Sequence, residues 1–577
     1  MNLIFKNSIR LLDKKQRIKF ALISFLSLVG ALLETLGVGI IIPFLTIFLE
    51  KGNELFLDHT FLSNLFSPDN FNFLKGYNPI IYGSLIILII FTLKNCYLLY
   101  LQWYNAKFTL DIETSLSKRL LDIYLSQQYT FHLKRNSANL IRNIKEEVVY
   151  FRTRILNQIF LLFIEFFTIT FILILLLIIN PKASIFAISF MVFASFIYLS
   201  FTKKKIKSLA VQRLQHDATR LKSLQHSFTG IKQIKVSNTE NFFSKIFNYH
   251  NEKSNYSNVI HDFIVQIPRY VLEVFAICSL FILILVFFRQ NLNYNELIPL
   301  LGIYAVASFK ILPSANRLTQ ALNQIRSGVP TLELLVNEFK NLKLVQRNTN
   351  QIDNIEFQNL KIENLNFAYS KNKNVLHKVH LEIAKGEIVG IIGNSGSGKS
   401  TLIDLITGLL SPSSGSIYIN GKKLGENLGS WLNIIGYVPQ EIFILDDTLE
   451  KNITFGSENK KRSKFQIEEI LKLLELDGLV KSLPNGLETN LNERGTRISG
   501  GQKQRIGIAR ALFNNPDIII LDEATNALDK DLENKILNNL KKLDRKTIII
   551  ISHNLENFKK NCNKILEVKD GLVKINN

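Results

Sequence analysis

Residues 393–400, Gly-Asn-Ser-Gly-Ser-Gly-Lys-Ser, fit the full pattern of a loop that wraps the phosphates of a nucleotide. The glycines let backbone N–H groups close around the phosphates, and the start of a helix directly after the loop favours negative charge. In that arrangement the Lys399 ammonium reaches the β- and γ-phosphates and the Ser400 hydroxyl ligates Mg2+. Farther along, Asp522 and Glu523 follow the apolar run 518–521. Such a carboxylate pair can hold Mg2+ through its first member and polarise an attacking water through its second. Alone, an acidic pair at a strand end is often structural; beside a phosphate loop it reads as catalytic. Residues 498–502, Ile-Ser-Gly-Gly-Gln, hold two adjacent glycines, which are costly in a helix unless a backbone must approach something closely. We read this segment as a second nucleotide-binding face.

These residues need a scaffold, and from about residue 352 the sequence supplies one. Short β-rich runs alternate with helical ones, the signature of an α/β domain. Residues 387–393, 517–521 and 547–551 read as buried parallel strands, with the phosphate loop between the first of them and the helical run 401–410. The 577 residues and 66.2 kDa exceed what one hydrophobic core sustains, so further domains are expected. Apolar residues make up 47% of the chain and charged ones 20%, with a mean hydropathy of +0.14, so the two kinds must be segregated along it. Cys96, Cys278 and Cys562 are far apart and match no ligand spacing, which excludes a disulfide framework and a zinc site.

The segregation is plain before residue 350. Six apolar stretches are long enough to cross a bilayer, at about 20–49, 80–104, 157–179, 183–202, 270–288 and 297–322. The first follows a basic segment, but no small-residue cleavage site comes after it, so it reads as an uncleaved span rather than a signal peptide. Asn180-Pro181 makes a tight turn between the third and fourth spans. The fold class is therefore a polytopic α-helical membrane domain with long cytoplasmic extensions plus a C-terminal α/β P-loop ATPase domain. Residues 1–330 form the transmembrane domain, 331–351 a linker and 352–577 the nucleotide-binding domain.

The formal charge of +21 fits either nucleic-acid binding or cytoplasmic loops facing anionic lipid, and its placement decides. Residues 1–19 carry six cations and one acid, and 105–155 carry nine cations and five acids. Residues 203–222 hold a further cluster including Lys203, Lys204, Lys205 and Lys207, whereas 50–79 has Lys51 and Lys75 against Glu50, Glu54, Asp58 and Asp69. Loops left in the cytoplasm carry the excess Lys and Arg, so both termini are placed there and no nucleic acid is needed to explain the charge. The connections 105–155 and 203–269 have helical periodicity and few breakers, and read as helices extending the spans into the cytosol. Segment 50–79 reads either as a short amphipathic helix on the outer face or as an ordered loop.

With these motifs in place the chain resembles an ABC transporter of the exporter type, a half-transporter with six spans fused to one ATPase domain, and the resemblance covers essentially all of it. It implies ATP and Mg2+ as cofactors. Tyr369 matches the adenine-stacking aromatic, and Gly393, Asn394, Ser395, Gly396, Ser397, Gly398, Lys399, Ser400 and Thr401 match the Walker A loop and helix start. Gln440 matches the Q-loop glutamine at the metal, Asp522 and Glu523 complete Walker B, and His553 matches the switch histidine. Ser499, Gly500, Gly501 and Gln502, after Ile498, match the signature, with Ile where Leu is commoner; Asn526 stands where Ser is usual, ahead of Asp529 in the D-loop. The segment Glu493-Arg494-Gly495 resembles the exporter stretch that meets the coupling helices. The resemblance implies that Glu523, His553 and Gln440 act in catalysis and that Ser400, Gln440 and Asp522 hold the metal. It also implies that one chain's signature covers the partner's ATP, so a homodimer is expected; a heterodimer is the alternative, disfavoured because no catalytic motif is degenerate.

Substrate information lies in the membrane half, where a charge is expensive. Lys94, Arg269, Lys310 and Arg317 lie in or at the spans, and so do Glu34, Glu165 and Glu273. Either these form internal ion pairs, with some positions just outside the bilayer, or the cations grip a phosphate in a wet cavity. The segments 33–43 and 309–317 and the outer segment resemble bacterial flippases of lipid-linked oligosaccharides. That resemblance implies a membrane-lipid context and a polyprenyl-diphosphate-linked, hence anionic, glycan moved across a bacterial inner membrane, with the ATPase domain cytoplasmic. The alternatives are export of lipid A or phospholipid, export of peptides or proteins, and a soluble ATPase of the same superfamily. No peptidase-like domain precedes residue 20, which weighs against peptide export, and six spans weigh against the soluble reading.

Overall fold

The computed structural model describes residues 2–48, 79–179, 181–289, 294–344, 355–370, 373–426, 428–457, 464–543, 545–552 and 562–576. The chain divides into two compact units, one of residues 1–127 and 135–344 and the other of 128–134 and 345–577.

The first unit is helical. A short helix, α1 (Asn2–Leu11), precedes α2 (Lys14–Phe48), α3 (Pro79–Ser126) and the six-residue α4 (Tyr129–Lys134), the last grouped with the second unit. There follow α5 (Asn157–Ile179), α6 (Pro181–Thr229), α7 (Glu240–Arg289) and α8 (Tyr294–Asn341). The six long helices cover the six predicted spans. Two stretches among the described residues, Lys14–Gly37 and Ser137–Ile178, satisfy length and composition for membrane crossing outright, and only 33% and 22% of their apolar windows are buried within the chain. Most residues of these windows are therefore left at least partly exposed by the chain itself, as lipid contact requires.

Helices α3, α6, α7 and α8 run 48, 49, 50 and 48 residues. At 1.5 Å per residue this is roughly 72–75 Å, more than twice the hydrocarbon thickness, so each continues past the bilayer as the helical periodicity anticipated. On α3 the extension buries Phe108, Ile112, Leu116, Leu120 and Ile123, a single stripe at spacings of three and four. Pro181 opens α6, where its missing N–H costs nothing; Asn180 and residues 49–78, which hold the segment expected on the outer face, lie outside the described residues.

One expectation is corrected and one is refined. Residues 331–341, assigned to a linker, are the last turns of α8: Leu332 and Leu335 are buried, and that packing carries the helix through Gly328-Val329-Pro330. The connection 105–155, read as helical, is helical over 105–126, 129–134 and 137–155, and within it the helix widens into two π turns, Asn143–Glu147 and Arg152–Leu156. The first π turn carries the fully buried Glu147. That carboxylate accepts from the Thr331 hydroxyl at 2.6 Å and lies 3.5 Å from Arg213 and 3.8 Å from Arg142. Arg213 in turn sits 3.7 Å over the Tyr150 ring and 3.5 Å from Asp217. A widened turn aligns these partners, and the charge cluster ties α6 and α8 to the 137–156 stretch.

The second unit contains two sheets. A four-stranded antiparallel sheet has the order β2 (Lys373–Ala384), β1 (Asn359–Ser370), β4 (Ser414–Ile419), β5 (Lys422–Lys423). The six-stranded sheet has the order β10 (Leu572–Asn576), β9 (Lys564–Lys569), β3 (Ile388–Ile392), β8 (Thr547–Ile551), β7 (Ile518–Asp522), β6 (Ile435–Val438). It is parallel throughout except for the β9–β10 hairpin. The three strands read from sequence are β3, β7 and β8, and every residue of β7 and β8 is buried, which is why they are continuous apolar runs rather than alternating ones. Helix α9 (Lys399–Ile406) follows β3, and α10 (Gly500–Phe513) carries the signature segment.

Candidate functional site

The phosphate loop leaves β3 at Ile392 and enters α9 at Lys399. Gly393 (φ 152°) and Gly398 (φ 108°) hold backbone conformations that side chains disfavour. At Gly393 a Cβ would also lie 2.3 Å from the Val568 carbonyl oxygen, so the strand-to-loop turn is open only to glycine. The Lys399 ammonium is buried against this loop, donating to the Gly393 and Asn394 carbonyls at 2.8 and 3.0 Å. A cavity of about 720 Å³ adjoins the loop, lined by Gly393–Ser397, Asn374, Val375 and the β9–β10 turn. Tyr369 is half exposed at the end of β1, its hydroxyl 3.1 Å from that of Thr401 and its ring edge-on to Phe367. The aromatic face is thus anchored from behind and free in front.

The carboxylate pair sits at the end of β7, beside β8. Asp522 is buried, with the Tyr437 hydroxyl donating to it at 3.4 Å. Burial and then the neighbouring Glu523 charge hold its carboxyl above the usual range. A third acid, Asp404 on α9, is pushed up to about 6 by burial and by Asp522, and the same two carboxylates with burial raise Tyr437. Carboxylates that raise one another in this way fit a neighbouring divalent cation, and Asp522, Ser400 and Gln440 are the residues that would hold Mg2+. Glu523 has a left-handed backbone (φ 50°) and accepts from the Gln440 amide at 2.8 Å and the Asn526 amide at 3.1 Å. Two side-chain donors on one carboxylate fix its direction.

In the signature segment Ser499 caps α10: Gln502 N–H donates to its hydroxyl at 3.3 Å, and Ser499 N–H donates to the Gln502 side chain at 2.8 Å. The glycine pair has a structural reason as well. A Cβ on Gly501 would stand 3.0 Å from the Ala527 carbonyl oxygen, and the Gln504 side chain accepts from Ala527 N–H at 2.9 Å. The D-loop is thereby packed on α10, and Asp529 caps the next helix by accepting from Leu532 N–H at 2.8 Å. His553 lies outside the described residues. Tyr437, Asp404 and Gln504 were not foreseen; an acid five residues after Lys399 on an otherwise apolar helix was the available signal for Asp404.

In the membrane unit, Lys310 is 2.6 Å from Glu34, which also accepts from the Thr168 hydroxyl at 3.4 Å. Arg317 makes a two-pronged pair with the buried Glu165. Arg269 pairs with Glu273 at 3.1 Å on an exposed face. Lys94 is buried 4.4 Å over the Phe91 ring and beside Gly37, near enough to Lys310 and Glu34 to feel their charges. Lys94, Lys310 and Glu34 therefore form one cluster, while Arg269 stands with its own partner.

Comparison with known proteins agrees with both halves. The ABC transporter family model matches residues 376–526, and that of the ABC transporter transmembrane region matches residues 20–311, just over half of the chain. An export ATP-binding/permease protein of Rickettsia typhi is 36% identical over 264 residues, 45% of each chain, so the match spans about half the length of that relative. The uncharacterized ABC transporter ATP-binding protein YwjA of Bacillus subtilis is 27% identical over 511 residues, 86% of this chain and 87% of that one. The alpha-hemolysin translocation ATP-binding protein HlyB of Escherichia coli is 41% identical over 217 residues, 37% of this chain and 30% of that one. In fold, a bacterial Atm1-family ABC exporter solved with ATP bound superposes with a TM-score of 0.74 over 97% of this chain and 94% of that one, at 19% identity. With a phosphate loop, paired carboxylates and a capped signature helix in one unit and long membrane helices in the other, the chain belongs to the ABC transporter family and has the exporter fold.

Proposed function

We propose that the protein is an ATP-driven exporter, acting as a homodimer in a bacterial inner membrane with its ATPase domain on the cytoplasmic side, and that it flips a polyprenyl-diphosphate-linked oligosaccharide. On the ATPase side, the loop backbone and Lys399 bind the phosphates, Tyr369 stacks on the base, and Glu523, aimed by Gln440 and Asn526, takes the proton of the attacking water. Mg2+ supplies charge neutralisation at the phosphates. In the dimer, Ser499–Gln502 of one chain close over the nucleotide held by its partner, and His553 takes the catalytic role that the resemblance implies for the switch histidine.

The observation that carries the substrate reading is the cluster of Lys94, Lys310 and Glu34: two cations and one acid within the spans, short of one negative charge. A phosphate on a lipid anchor completes that balance where an unmatched charge is costly. Lys94 and Lys310 meet it while Glu34 stays in the cluster and Glu165 stays with Arg317, and Arg317 and Arg269 serve at the edge. Likeness to HlyB, named for translocation of alpha-hemolysin, favours protein export as the second reading. Proteoliposomes carrying a fluorescent polyprenyl-diphosphate glycan separate the two. ATP-dependent loss of label from one leaflet supports flipping, and no movement together with ATPase stimulation by a secreted polypeptide overturns it.

A further inference from the structure

Beyond the ATP site and the membrane cations, the N-terminal helix covers a pocket that neither uses. Helix α1 ends at Leu11, and the chain turns through the buried Leu12 before α2 begins at Lys14. The Phe5 ring meets Phe20 of α2 at 5.8 Å and Phe163 of α5 at 6.3 Å, both edge-on. Against α1 lies a cavity of about 390 Å³, lined by Ile4 and Phe5 of α1, Leu162, Phe163 and Phe167 of α5 and Ile325 of α8 among others, with Asn2 its one polar residue. Phe163, Phe167 and Phe171 stack a turn apart along α5, at 6.5 and 6.0 Å, and extend the aromatic wall along the span. Water has too few partners in such a space, whereas hydrocarbon fits it: at a size per methylene close to one water's share, about 30 Å³, the volume takes roughly thirteen methylenes.

The rim has a sign. Lys6 and Arg10 on α1 and Lys14, Lys15 and Lys19 at the start of α2 are all exposed, and Phe20, next in line, touches the pocket's Phe5. The one acid of this stretch, Asp13, is engaged by Arg119 at 2.9 Å. An apolar slot beside unpaired positive charge, at the start of a span, matches a lipid with an acyl chain and an anionic head. We propose that this pocket seats one acyl chain of an anionic phospholipid, whose phosphate is held by the cations of residues 6–19, and that the bound lipid fastens α1 against α5 and α8. The site is independent of the ATP pocket and of what is transported.

The test uses the full-length protein in phosphatidylcholine nanodiscs doped with either spin-labelled phosphatidylglycerol or spin-labelled phosphatidylcholine, reading the immobilised fraction of label. Phosphatidylglycerol should be immobilised at least about threefold more than phosphatidylcholine. Ile4→Trp, which fills the slot, should abolish that excess. Lys6→Gln/Arg10→Gln, on the exposed face, should bring phosphatidylglycerol down to the phosphatidylcholine level while the protein keeps its elution position. Equal immobilisation of the two labels in the unaltered protein, or an excess that survives Ile4→Trp, overturns the proposal. Displacement of the label by a polyprenyl phosphate at lower concentration than by unlabelled phosphatidylglycerol would also overturn it, assigning the slot to a substrate tail.

Discussion

Replacing Arg317 by Gln separates structural pairing from substrate gripping. The Glu165 side chain is only 4% exposed, and the Arg317 guanidinium meets it through two nitrogens. Removing the cation alone strands a buried carboxylate, which costs about 3–5 kcal/mol. The matching change at Arg269, whose side chain is 65% exposed and whose partner Glu273 is 44% exposed, should cost about 0–1 kcal/mol. Of the two carboxylates, the one left stranded in a buried site is Glu165 rather than Glu273. Arg317→Gln should lower the Tm of purified protein by roughly 5–10 °C. The pair Arg317→Gln/Glu165→Gln should recover to within about 1 kcal/mol of the unaltered protein, since two amides can bond to each other. If Arg317 also grips phosphate, the double variant stays at least about tenfold slower in flipping a lipid-linked oligosaccharide, a loss of about 1.4 kcal/mol in transition-state binding. A single variant as stable as Arg269→Gln would refute the burial argument. A double variant that regains both Tm and flipping would return Arg317 to structure alone.

Glu523→Gln keeps the shape and hydrogen-bonding position of the side chain but removes the base, so ATP binding should persist while steady-state hydrolysis falls roughly 10²–10⁴-fold; a rate within about threefold of the unaltered protein rejects the role. A dimer of one Ser499→Arg chain and one Lys399→Ala chain keeps one intact composite site and should hydrolyse more ATP than either mutant homodimer; equality would count against sites shared between chains. Asp404 gives a pH effect of defined sign. Its folded-state pKa of about 6 lies above that of an unfolded aspartate, about 3.9. Its contribution to stability is therefore present below about pH 4 and lost as pH rises through about 6. Without Mg2+ or nucleotide, this group should lower Tm between about pH 4 and 6, and Asp404→Asn should flatten that slope and be the more stable protein at pH 7; an unchanged slope would show that Asp404 does not titrate there.

Which parts of this molecule could be read from sequence follows from the range of the forces involved. The phosphate loop is local: glycines, lysine and serine act within eight consecutive residues, and the conformations at Gly393 and Gly398 leave few other residue types possible. Strands β3, β7 and β8 were equally legible, because burial on both faces writes itself as uninterrupted isoleucine and leucine. The long helices showed through their apolar runs and the cation-rich segments beyond them. The end of α8 did not, because Gly328-Val329-Pro330 carries breaker signals that the buried Leu332 and Leu335 override, and packing of that kind has no local signature. The π turns at 143–147 and 152–156 were missed for the same reason.

The sequence by itself determined the chemistry of the ATP site and the division into a membrane half and an ATPase half, since both rest on residue types and hydrophobic periodicity along a continuous stretch of chain. Only the tertiary structure decided how charges are shared. That Glu34 goes to Lys310, Glu165 to Arg317 and Glu147 to Arg213 depends on side chains 276, 152 and 66 positions apart in the chain. Pairing across such separations is set by how helices pack, and packing chooses among many charge partners of similar local appearance. The same holds for Glu523, whose acidic character is written in the sequence but whose direction comes from Gln440, 83 residues away, on the far side of the fold's chain order.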